Sequence, residues 1–459
     1  MKEVLNEFIN FENENKVFEY KIDDIYFWYL IRRRISDNIL ISKKLISTSD
    51  YTTGNNIVEK ALYFSKYLLN SFFNLFKKVP HVDEIIINHP RKIIVDGKYI
   101  DIYTYYLEND LREKGINFIT LDVPLNWHKH LLKKEKHIRY MENFSIIKKI
   151  IFNKLNAKKI KQNEILQKLS KQLIAKFGDD GNLISVVNLE IQKFKADYKY
   201  FKHFLKKANP KKISIVISEV YPGIIAAAKE LGIETVEIQH AVITKEHLAY
   251  EYPNQKNIPY FPDKIRLFGE YWYDTVDLPL EKKDIVLTEN KFLTSKRNKK
   301  VSKKNNQILF ITQGWVTKKM LIYIQKFIKK TSKYHIVVKL HPSEYEVWQK
   351  IYPELVELKE NFGIEVVDNF NKSIYDWLIE SKYVVGVSST CLYEALFFDC
   401  EVHLLNLPSV EIMSDLIDKK LAKLANNAQE LAENIKTKSK GKIDLNYIYF
   451  QGGKNNENR

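Results

Sequence analysis

Between Gln307 and Leu405 the sequence alternates short apolar, β-branched runs with longer stretches of helical period. Five runs are predicted as strands: Gln307–Thr312, Tyr334–Leu340, Ile364–Val367, Tyr383–Val387 and Val402–Leu405. Four stretches are predicted as helices: Lys318–Lys330, Glu346–Asn361, Ile374–Ser381 and Cys391–Phe398. This alternation favours a parallel sheet with right-handed crossovers, because each helix returns the chain to the edge from which the next strand starts.

The first half of the chain shows the same alternation less regularly. Predicted strands there are Glu84–Asn88, Lys92–Val95, Asn117–Leu121, Ile213–Ser218, Thr235–Ile238 and Ile265–Phe268, and predicted helices are Ile102–Lys114 and Pro222–Leu231. From Ser145 to Ala208 the pattern is helical and strongly basic, with a turn at Gly178–Gly181. A second α/β unit is therefore expected before residue 288.

The length of 459 residues is too great for one ordinary hydrophobic core, which favours two domains. We predict an N-terminal helical segment over 1–80 that belongs to the first domain. That domain is predicted to be Rossmann-like over 81–287, with a basic helical insertion. The polar, non-periodic stretch Thr288–Asn306 is predicted as a linker. A second Rossmann-like domain is predicted over 307–440, and a polar tail over 441–459.

The cysteine content and the hydropathy indicate the cellular compartment that is expected for the protein. The two cysteines, Cys391 and Cys400, are too few for a disulfide framework and favour buried thiols in a reducing compartment. The first residues lack the apolar run of a signal peptide, and no apolar stretch reaches the ~18 residues of a spanning helix. A cytoplasmic protein is expected. No Cys or His spacing resembles a zinc site, and neither a metal nor a cofactor is expected.

The net charge is +16, from 73 Lys and Arg against 57 Asp and Glu. The excess is concentrated in Lys129–Arg139, Lys148–Lys161, Lys206–Lys212 and Lys296–Lys304. Such charge fits an anionic substrate, an anionic membrane or nucleic acid, or a solvated surface. Segment Ile57–Val79 is predicted as a helix that lies either on a membrane or in the core. No RNP, helix-turn-helix or zinc motif is present, so nucleic acid is not an expected partner.

Small and polar residues directly follow three predicted strands of the second domain: Gln313-Gly314, His341-Pro342 and Ser388-Ser389-Thr390. The carboxyl ends of parallel strands form the edge where open α/β folds bind ligands. These residues therefore predict an anion site, with Ser389 or Thr390 capping the helix that follows. Glu394, one turn inside that helix, is a candidate acceptor of hydrogen bonds from ribose hydroxyls. The G-x-G-x-x-G and P-loop patterns are absent.

The His-Pro dipeptide after one strand and the Ser-Ser/Thr turn after a later strand resemble motifs of bacterial GT-B glycosyltransferases that use CMP-activated sugars. That family includes the sialyltransferases and Kdo transferases of capsule and lipopolysaccharide synthesis. The resemblance covers Gln307 to about Ser409. The segment TVEIQHAVITKEHLAY also looks like the Gln-His-Gly segment of capsule transferases, with Ala241 in place of the glycine. The resemblance implies a GT-B fold, with two Rossmann-like domains whose parallel sheets face a central cleft.

The resemblance also implies roles for individual residues. His341, Ser388 and Ser389, with Thr390, would contact the CMP phosphate and stabilise it as it leaves. The predicted nucleotide site further includes Gln313, Gly314, Pro342 and Glu394. The second domain would then bind a CMP-activated nonulosonic acid or Kdo, without a metal. The first would bind a surface polysaccharide or a lipid-linked oligosaccharide. Its basic surface suggests peripheral contact with the anionic inner face of the cytoplasmic membrane.

An inverting transfer also needs a base that takes the proton of the acceptor hydroxyl. Candidates in the first domain, at strand ends or in loops, are Asp96, Asp101, Glu219, Glu237 and His240. Asp101 and Glu219 are the favoured bases, and His240 and Arg91 are assigned to the acceptor side. A retaining reaction, in which a carboxylate acts as nucleophile, stays open.

Other functions also stay open at this point. A CDP-glycerol-type polyol phosphotransferase of teichoic-acid-like polymers would share the architecture, and so would a non-hydrolysing sugar-nucleotide epimerase. A different class of function is a non-catalytic basic protein, either a nucleic-acid binder or a membrane-associated scaffold for polysaccharide assembly.

Overall fold

The computed structural model of the chain describes residues 1–46, 65, 78–90, 92–95, 98–123, 136–141, 163–298, 302, 304–331, 333–369, 371–437, 439, 441 and 444–451. The described residues form two compact units. The first contains Lys2–Lys44 and the described residues between Asn55 and Thr288. The second contains the described residues from Glu289 onward, together with Met1 and residues 45–46.

The first unit is built on a seven-stranded sheet whose neighbouring strands all run parallel. The strands of this unit are β1 (Lys21–Ile22), β2 (Ile25–Tyr26), β3 (Glu84–Ile87), β4 (Ile93–Val95), β5 (Lys98–Ile100), β6 (Phe118–Asp122), β7 (Ile138–Tyr140), β8 (Lys212–Val216), β9 (Glu234–Ile238), β10 (Lys264–Leu267) and β11 (Ile285–Leu287). The sheet order is β11-β10-β9-β8-β3-β6-β7, and two antiparallel hairpins, β1-β2 and β4-β5, stand apart from it. The strand order reverses between β3 and β8.

The central strands of this sheet are apolar because both of their faces are covered. All four residues of β3 are buried, as are Ile213 and Ile215 of β8. Ile85 and Ile87 of β3 pack with these two residues into one core, which Phe201 and Ile224 of the flanking helices complete. The helices of the unit are Lys2–Glu14, Phe27–Ser42, Tyr105–Glu113, Glu164–Phe177, Leu183–Ala208, Pro222–Glu230 and Glu270–Asp274, with short 3-10 helices at Val17–Glu19, Ser218–Val220 and Lys282–Asp284.

The first two helices are attached to a later loop by a buried ion pair. Arg32 and Glu12 are each about 2% exposed or less, and their Nη2 and Oε2 atoms lie 2.6 Å apart. The Arg32 guanidinium also donates to the carbonyls of Leu248 (2.6 Å) and Glu251 (2.9 Å). It stacks on the ring of Tyr252, 4.3 Å from the ring centroid. One cation thereby ties the N-terminal helices to residues 248–252.

The second unit contains a six-stranded parallel sheet in the order β14-β13-β12-β15-β16-β17. Its strands are β12 (Lys304–Ile311), β13 (His335–Lys339), β14 (Glu365–Val367), β15 (Ser381–Gly386), β16 (Glu401–Leu405) and β17 (Ala422–Ala425). Its helices are Lys291–Arg297, Thr317–Ile328, Trp348–Ile351, Pro353–Phe362, Ile374–Glu380, Cys391–Phe397, Ser414–Asp418, Ala428–Asn434 and Leu445–Ile448, with 3-10 helices at Pro342–Glu344 and Val410–Met413. The strand order reverses between β12 and β15.

The predicted fold class is confirmed: the chain is α/β, with two Rossmann-like domains that each carry a parallel sheet. The five strands predicted from Gln307 onward all exist, with ends that shift by one to three residues. In the first domain, the predicted strands at β3, β6, β8, β9 and β10 are also confirmed, as is the turn between Phe177 and Leu183.

Three local predictions need correction. The strand predicted over Lys92–Val95 exists as Ile93–Val95, but it forms a hairpin with Lys98–Ile100 instead of joining the parallel sheet. The predicted linker contains the helix Lys291–Arg297, whose preceding Asn290 accepts the Leu293 N–H at 3.1 Å. The predicted helix Glu346–Asn361 breaks at Pro353, which cannot donate a helical hydrogen bond. Strands β7, β11 and β17 were not predicted, since each is only three or four residues long.

Some predictions fall outside the described residues. They concern Arg91, Asp96, the basic segment Lys148–Lys161, and all of Ile57–Val79 except Ser65, Lys78 and Val79. Within the part of the chain that is described, no helix combines the length and the apolar character needed to cross a membrane.

Candidate functional site

Gln313 and Ser388 join the carboxyl ends of β12 and β15, where the strand order of the second sheet reverses. The Gln313 side-chain amide donates to the Ser388 carbonyl (3.0 Å). Its Oε1 accepts from the Ser388 backbone N–H (3.2 Å) and from the Ser388 hydroxyl (3.1 Å). Open parallel sheets bind ligands at this reversal. Two of the predicted nucleotide-site residues are therefore in direct contact, 75 positions apart in sequence.

His341 lies at the same edge, after β13, the other neighbour of β12. Its backbone is extended, and Pro342 follows it as the first residue of a 3-10 turn. Its Nδ1 accepts the Ser343 backbone N–H (3.3 Å) and lies 2.7 Å from the Ser343 hydroxyl. An Nδ1 that accepts a backbone N–H assigns the proton of the neutral ring to Nε2. The Nε2–H is then a fixed donor at the carboxyl edge.

Glu344 organises this turn, and its role was not predicted. It is fully buried, and its Oε2 accepts from the His341 backbone N–H (2.8 Å) and from the Thr312 hydroxyl (2.7 Å). Its Oε1 accepts from the Tyr352 hydroxyl (2.6 Å), which also lies 3.3 Å from the Gly314 carbonyl. One carboxylate thus holds the residues that follow β12 and β13. The sequence HPSE could have indicated this role, because a Glu three residues after the residue that opens a turn is typical of a capping box.

Ser389 and Thr390 precede the helix Cys391–Phe397, and one or the other was predicted to cap it. Ser389 accepts the Cys391 backbone N–H at 3.3 Å. Thr390 stands at the N-cap position with helical backbone angles and makes no side-chain capping bond. Both residues are half-buried. Of the two predicted capping residues, Ser389 is therefore the one whose side chain accepts a backbone N–H of the helix.

Glu394 is more deeply buried than expected for a residue that contacts ribose hydroxyls at the surface. It is 7% exposed, and the Tyr375 hydroxyl donates to its Oε1 at 3.4 Å. Burial raises the pKa of Glu394 to about 7, opposed by hydrogen bonds from Cys391 and Tyr375. A carboxyl in this setting exchanges its proton near neutral pH.

Lys339, the last residue of β13, is a further polar residue at this edge that was not predicted. It is 7% exposed, and among the described residues its ammonium contacts uncharged oxygens, the Tyr345 hydroxyl and the Leu340 carbonyl (3.5 Å). Burial lowers the pKa of Lys339 to about 8, although Cys391, Asp368 and Glu344 act in the opposite direction. A lysine inside an otherwise apolar strand is the signal that could have found it.

In the first domain, Asp101 serves a structural purpose. It is 2% exposed, and its two oxygens accept from the backbone N–H groups of His89 (2.8 Å) and Tyr103 (3.0 Å) and from the Thr104 hydroxyl (2.9 Å). Burial raises the pKa of Asp101 to about 6, against the opposing charge of Lys92. Its oxygens hold the turn that precedes the helix Tyr105–Glu113 and connect that turn to His89.

Three rings meet beside this turn. The ring centroids of His89 and His240 lie 5.5 Å apart, and that of Tyr103 lies 5.3 Å from His89 and 6.3 Å from His240. The Tyr103 hydroxyl donates to the His240 carbonyl at 2.8 Å. His240, assigned to the acceptor side, is therefore placed beside His89, which follows β3. His89 was not among the predicted site residues.

Below these rings lies a buried charge pair that was not predicted. The Lys92 ammonium lies 2.9 Å from Asp122 Oδ1, and both side chains are fully buried. Lys92 also donates to the carbonyls of His89 (2.7 Å) and Val123 (2.6 Å), and Asn88 donates to Asp122 (2.8 Å). This network binds the ends of β3 and β6 together.

Glu219, the other predicted base, follows β8 at the strand-order reversal of the first sheet. Its side chain is 20% exposed and forms an ion pair with Arg33. Burial raises the pKa of Glu219, Arg33 lowers it and Asp37 raises it. The preceding Ile217 adopts left-handed backbone angles, φ 62° and ψ 60°. This conformation costs a β-branched residue about 1–3 kcal/mol, and such strain concentrates at functional sites.

Among the described residues, no group of three or more His, Cys, Asp or Glu side chains is arranged to hold a metal ion. Arg91, the second residue assigned to the acceptor side, lies outside the described residues.

The chain was compared with known proteins. No protein-family model matches it, and no curated protein sequence does. Among solved structures, it is similar to UDP-GlcNAc 2-epimerase of Methanocaldococcus jannaschii in complex with UDP-GlcNAc and UDP, at 12% identity and a TM-score of 0.46, over 80% of this chain and 95% of that one. It is also similar to MurG of Acinetobacter baumannii, at 12% identity and a TM-score of 0.42, over 76% and 89% of the two chains.

Proposed function

We propose that this protein is a glycosyltransferase that moves a sugar from a CMP-activated donor, a nonulosonic acid or Kdo, to a polysaccharide or lipid-linked oligosaccharide. The observation that carries the proposal is the carboxyl edge of the second sheet. There Gln313, His341 and Ser388 follow three adjacent strands at the point where the strand order reverses. Their groups are uncharged hydrogen-bond donors and acceptors, which suits a phosphate that gains negative charge as the bond to the sugar breaks.

The proposed step balances as follows. The bond between the anomeric carbon and the phosphate oxygen breaks, and its electron pair stays on CMP. The acceptor hydroxyl oxygen forms the new bond to the anomeric carbon, and its proton passes to a base. The His341 Nε2–H donates to the departing phosphate oxygen. The Ser389 hydroxyl, whose oxygen already accepts the Cys391 N–H, donates to a second one. One such donor is worth about 3 kcal/mol of barrier.

For the base we propose Glu219. It is partly exposed and carries a carboxyl whose pKa burial raises, while Arg33 counteracts that rise. Asp101 is the weaker candidate, because three donors already occupy its oxygens and it is 2% exposed. We assign Asp101 instead to holding the turn that leads to Tyr103, and keep His240 and Arg91 as acceptor-side residues.

For the acceptor, a strip of positive charge supports an anionic partner. Lys199, Lys206 and Lys207 are exposed on the helix Leu183–Ala208. We propose that this strip favours an anionic polysaccharide or the anionic inner surface of the cytoplasmic membrane. Sedimentation with anionic and with neutral vesicles tests the membrane part, and equal binding to both would contradict it.

Turnover measurements test the proposed function. The purified protein is incubated with CMP-sialic acid, CMP-Kdo or CDP-glycerol, with and without an oligosaccharide acceptor, and release of CMP is followed. Acceptor-dependent CMP release from a CMP-sugar is the expected result, with CMP binding visible by calorimetry. Turnover of CDP-glycerol alone would reassign the protein as a polyol phosphotransferase. Absence of both turnover and CMP binding would sink the proposal.

A further inference from the structure

The turn that carries Glu219 is held from below by Glu237, a buried carboxyl on the neighbouring strand β9. Ser218 is 2% exposed, and its hydroxyl donates to Glu237 Oε2 at 2.5 Å. Ile217, just before it, has the left-handed backbone angles described above. A strained conformation persists only where its surroundings determine it, and the Ser218–Glu237 bond is a contact of that kind.

Glu237 is itself held on its other oxygen. It is 1% exposed, and the Tyr250 hydroxyl donates to its Oε1 at 2.7 Å. Both oxygens therefore accept hydrogen bonds from hydroxyl groups, which is the pattern of an ionised carboxylate. A protonated carboxyl would donate one of these bonds instead, and the hydroxyl group that accepts it would have to direct its own proton to another acceptor.

We propose that Glu237 is a positioning residue for Glu219: as a carboxylate it holds Ser218, and with it the left-handed turn that directs the Glu219 carboxyl. This inference rests on the proposed function, in which Glu219 is the base. Glu237 touches no reacting atom in this scheme and acts through Ser218.

The groups around Glu237 come from several elements and act on its pKa in opposite directions. Burial raises the pKa of Glu237 to about 7. Hydrogen bonds from Ser218 and Tyr250 lower it, and the charge of Glu219 raises it. Tyr29, on the second helix, also faces this cluster, since Glu237 and Glu219 both raise its pKa. Arg33 lies beyond, paired with Glu219, and Arg33 and His240 both lower the pKa of His247. Glu237 therefore loses its charge, and its grip on Ser218 as an acceptor, as the pH falls through about 7.

Glu237→Gln is the decisive variant, because a glutamine imitates the protonated carboxyl at every pH. Steady-state kinetics with the CMP-sugar found active are measured between about pH 5.5 and 8.5. We expect kcat at the alkaline end to fall about 10–100-fold while both KM values stay within about twofold. The decline of the wild-type rate below about pH 7 should be weaker in the variant, where only protonation of the Glu219 base remains to cause one.

Two further variants separate positioning from folding. Ser218→Ala removes the link but leaves the Glu237 charge, and should lower kcat to a similar extent at high pH. Glu237→Asp should keep part of the rate and the pH dependence. Glu234→Gln is the matched control on the same strand, because Glu234 pairs with Lys264 at 39% exposure. It should keep wild-type kinetics.

The outcomes are distinguishable. Wild-type kcat and pH profile in both Glu237→Gln and Ser218→Ala would overturn this inference, whereas an inactive Glu219→Gln would leave the proposed base in place. Full activity of Glu219→Gln would overturn the base assignment and this inference together. If Glu237→Gln does not fold, the results for Ser218→Ala and Glu237→Asp decide.

Discussion

The carboxyl edges of the two sheets differ in chemistry although their strand orders reverse in the same way. In the second domain the reversal carries Gln313 and Ser388, joined by three uncharged hydrogen bonds. In the first domain it carries Glu219 and the carboxyls and imidazoles near it, whose pKa values are shifted by burial. One topology therefore supports an edge suited to holding an anion and another suited to moving a proton, according to the few residues that follow each strand.

The two edges also differ in backbone strain. The turn after β13 is relaxed: His341 is extended, and Glu344 closes a capping box beneath it. The turn after β8 contains Ile217 in a left-handed conformation. A relaxed turn holds groups that bind, while a strained turn has to be held by its neighbours, as Glu237 holds Ser218. The two edges should therefore respond differently to substitution.

The largest effect is expected from His341→Ala. Loss of the Nε2–H at the leaving phosphate should lower kcat/KM by about 10²–10³-fold, measured as acceptor-dependent CMP release. His335→Ala is the matched control, since His335 lies at the opposite end of β13, is 38% exposed and faces Glu365. It should leave the rate unchanged. Equal rates for wild type and His341→Ala would remove the phosphate role from this edge.

Glu219→Gln is expected to lower kcat by about 10²-fold, at the lower end of the range for a general base. CMP affinity, measured by calorimetry, should stay at the wild-type value, because Glu219 belongs to the first domain. Glu281→Gln is the control, with an exposed carboxylate paired to Lys283. A loss of CMP binding in Glu219→Gln would contradict the assignment of CMP binding to the second sheet's edge alone.

Lys339→Met is expected to weaken CMP binding about tenfold, which is the value of about 1.4 kcal/mol. The methionine keeps the buried aliphatic volume and removes the cation. Lys333→Met, on an exposed lysine before β13, should bind CMP as the wild type does. Unchanged CMP affinity in Lys339→Met would show that Lys339 does not contribute to CMP binding and only packs against Tyr345.

Glu394→Gln should change the pH dependence of stability more than the rate. The pKa of Glu394 is about 7 in the folded protein, and the unfolded value is near 4.3. Between these two pKa values Glu394 is protonated in the folded state and ionised in the unfolded state. Protonation of Glu394 therefore stabilises the fold as the pH falls below about 7, and above that pH the buried charge destabilises it. Relative to wild type, the variant should gain about 1–3 kcal/mol at pH 8, measured by urea unfolding. A constant difference between pH 5 and 8 would contradict the assigned pKa.

Much of the second domain was predictable because its strands read as uninterrupted apolar runs. Those runs ended where the sheet ends, so His341 and Ser388 could be placed on one edge from the sequence. The hydrogen bonds of Gln313 to Ser388 could not, since they join side chains 75 positions apart. Glu344 was within reach through its spacing from His341, and Lys339 through its polarity within an apolar strand.

The first domain was less predictable for two physical reasons. Asp101 was favoured as a base because of its position, but it is buried, and beside its local donors Tyr103 and Thr104 it accepts the His89 N–H, which only the tertiary fold brings to it. Ile217 adopts backbone angles that oppose the preference of a β-branched residue. No local pattern indicates such a turn, and the Ser218–Glu237 bond that holds it joins two different strand ends.

The buried pair of Arg32 and Glu12 has a consequence for how much of the chain is needed to fold the loop that contains Leu248 and Glu251. A protein shortened by its first helix would keep Arg32 under the carbonyls of Leu248 and Glu251 with no carboxylate to balance its charge. Removing one partner of a buried ion pair typically costs about 3–5 kcal/mol. The loop that starts at His240 would then lose its support at Leu248. The opening helices are therefore a folding requirement for residues that lie some 200 positions later.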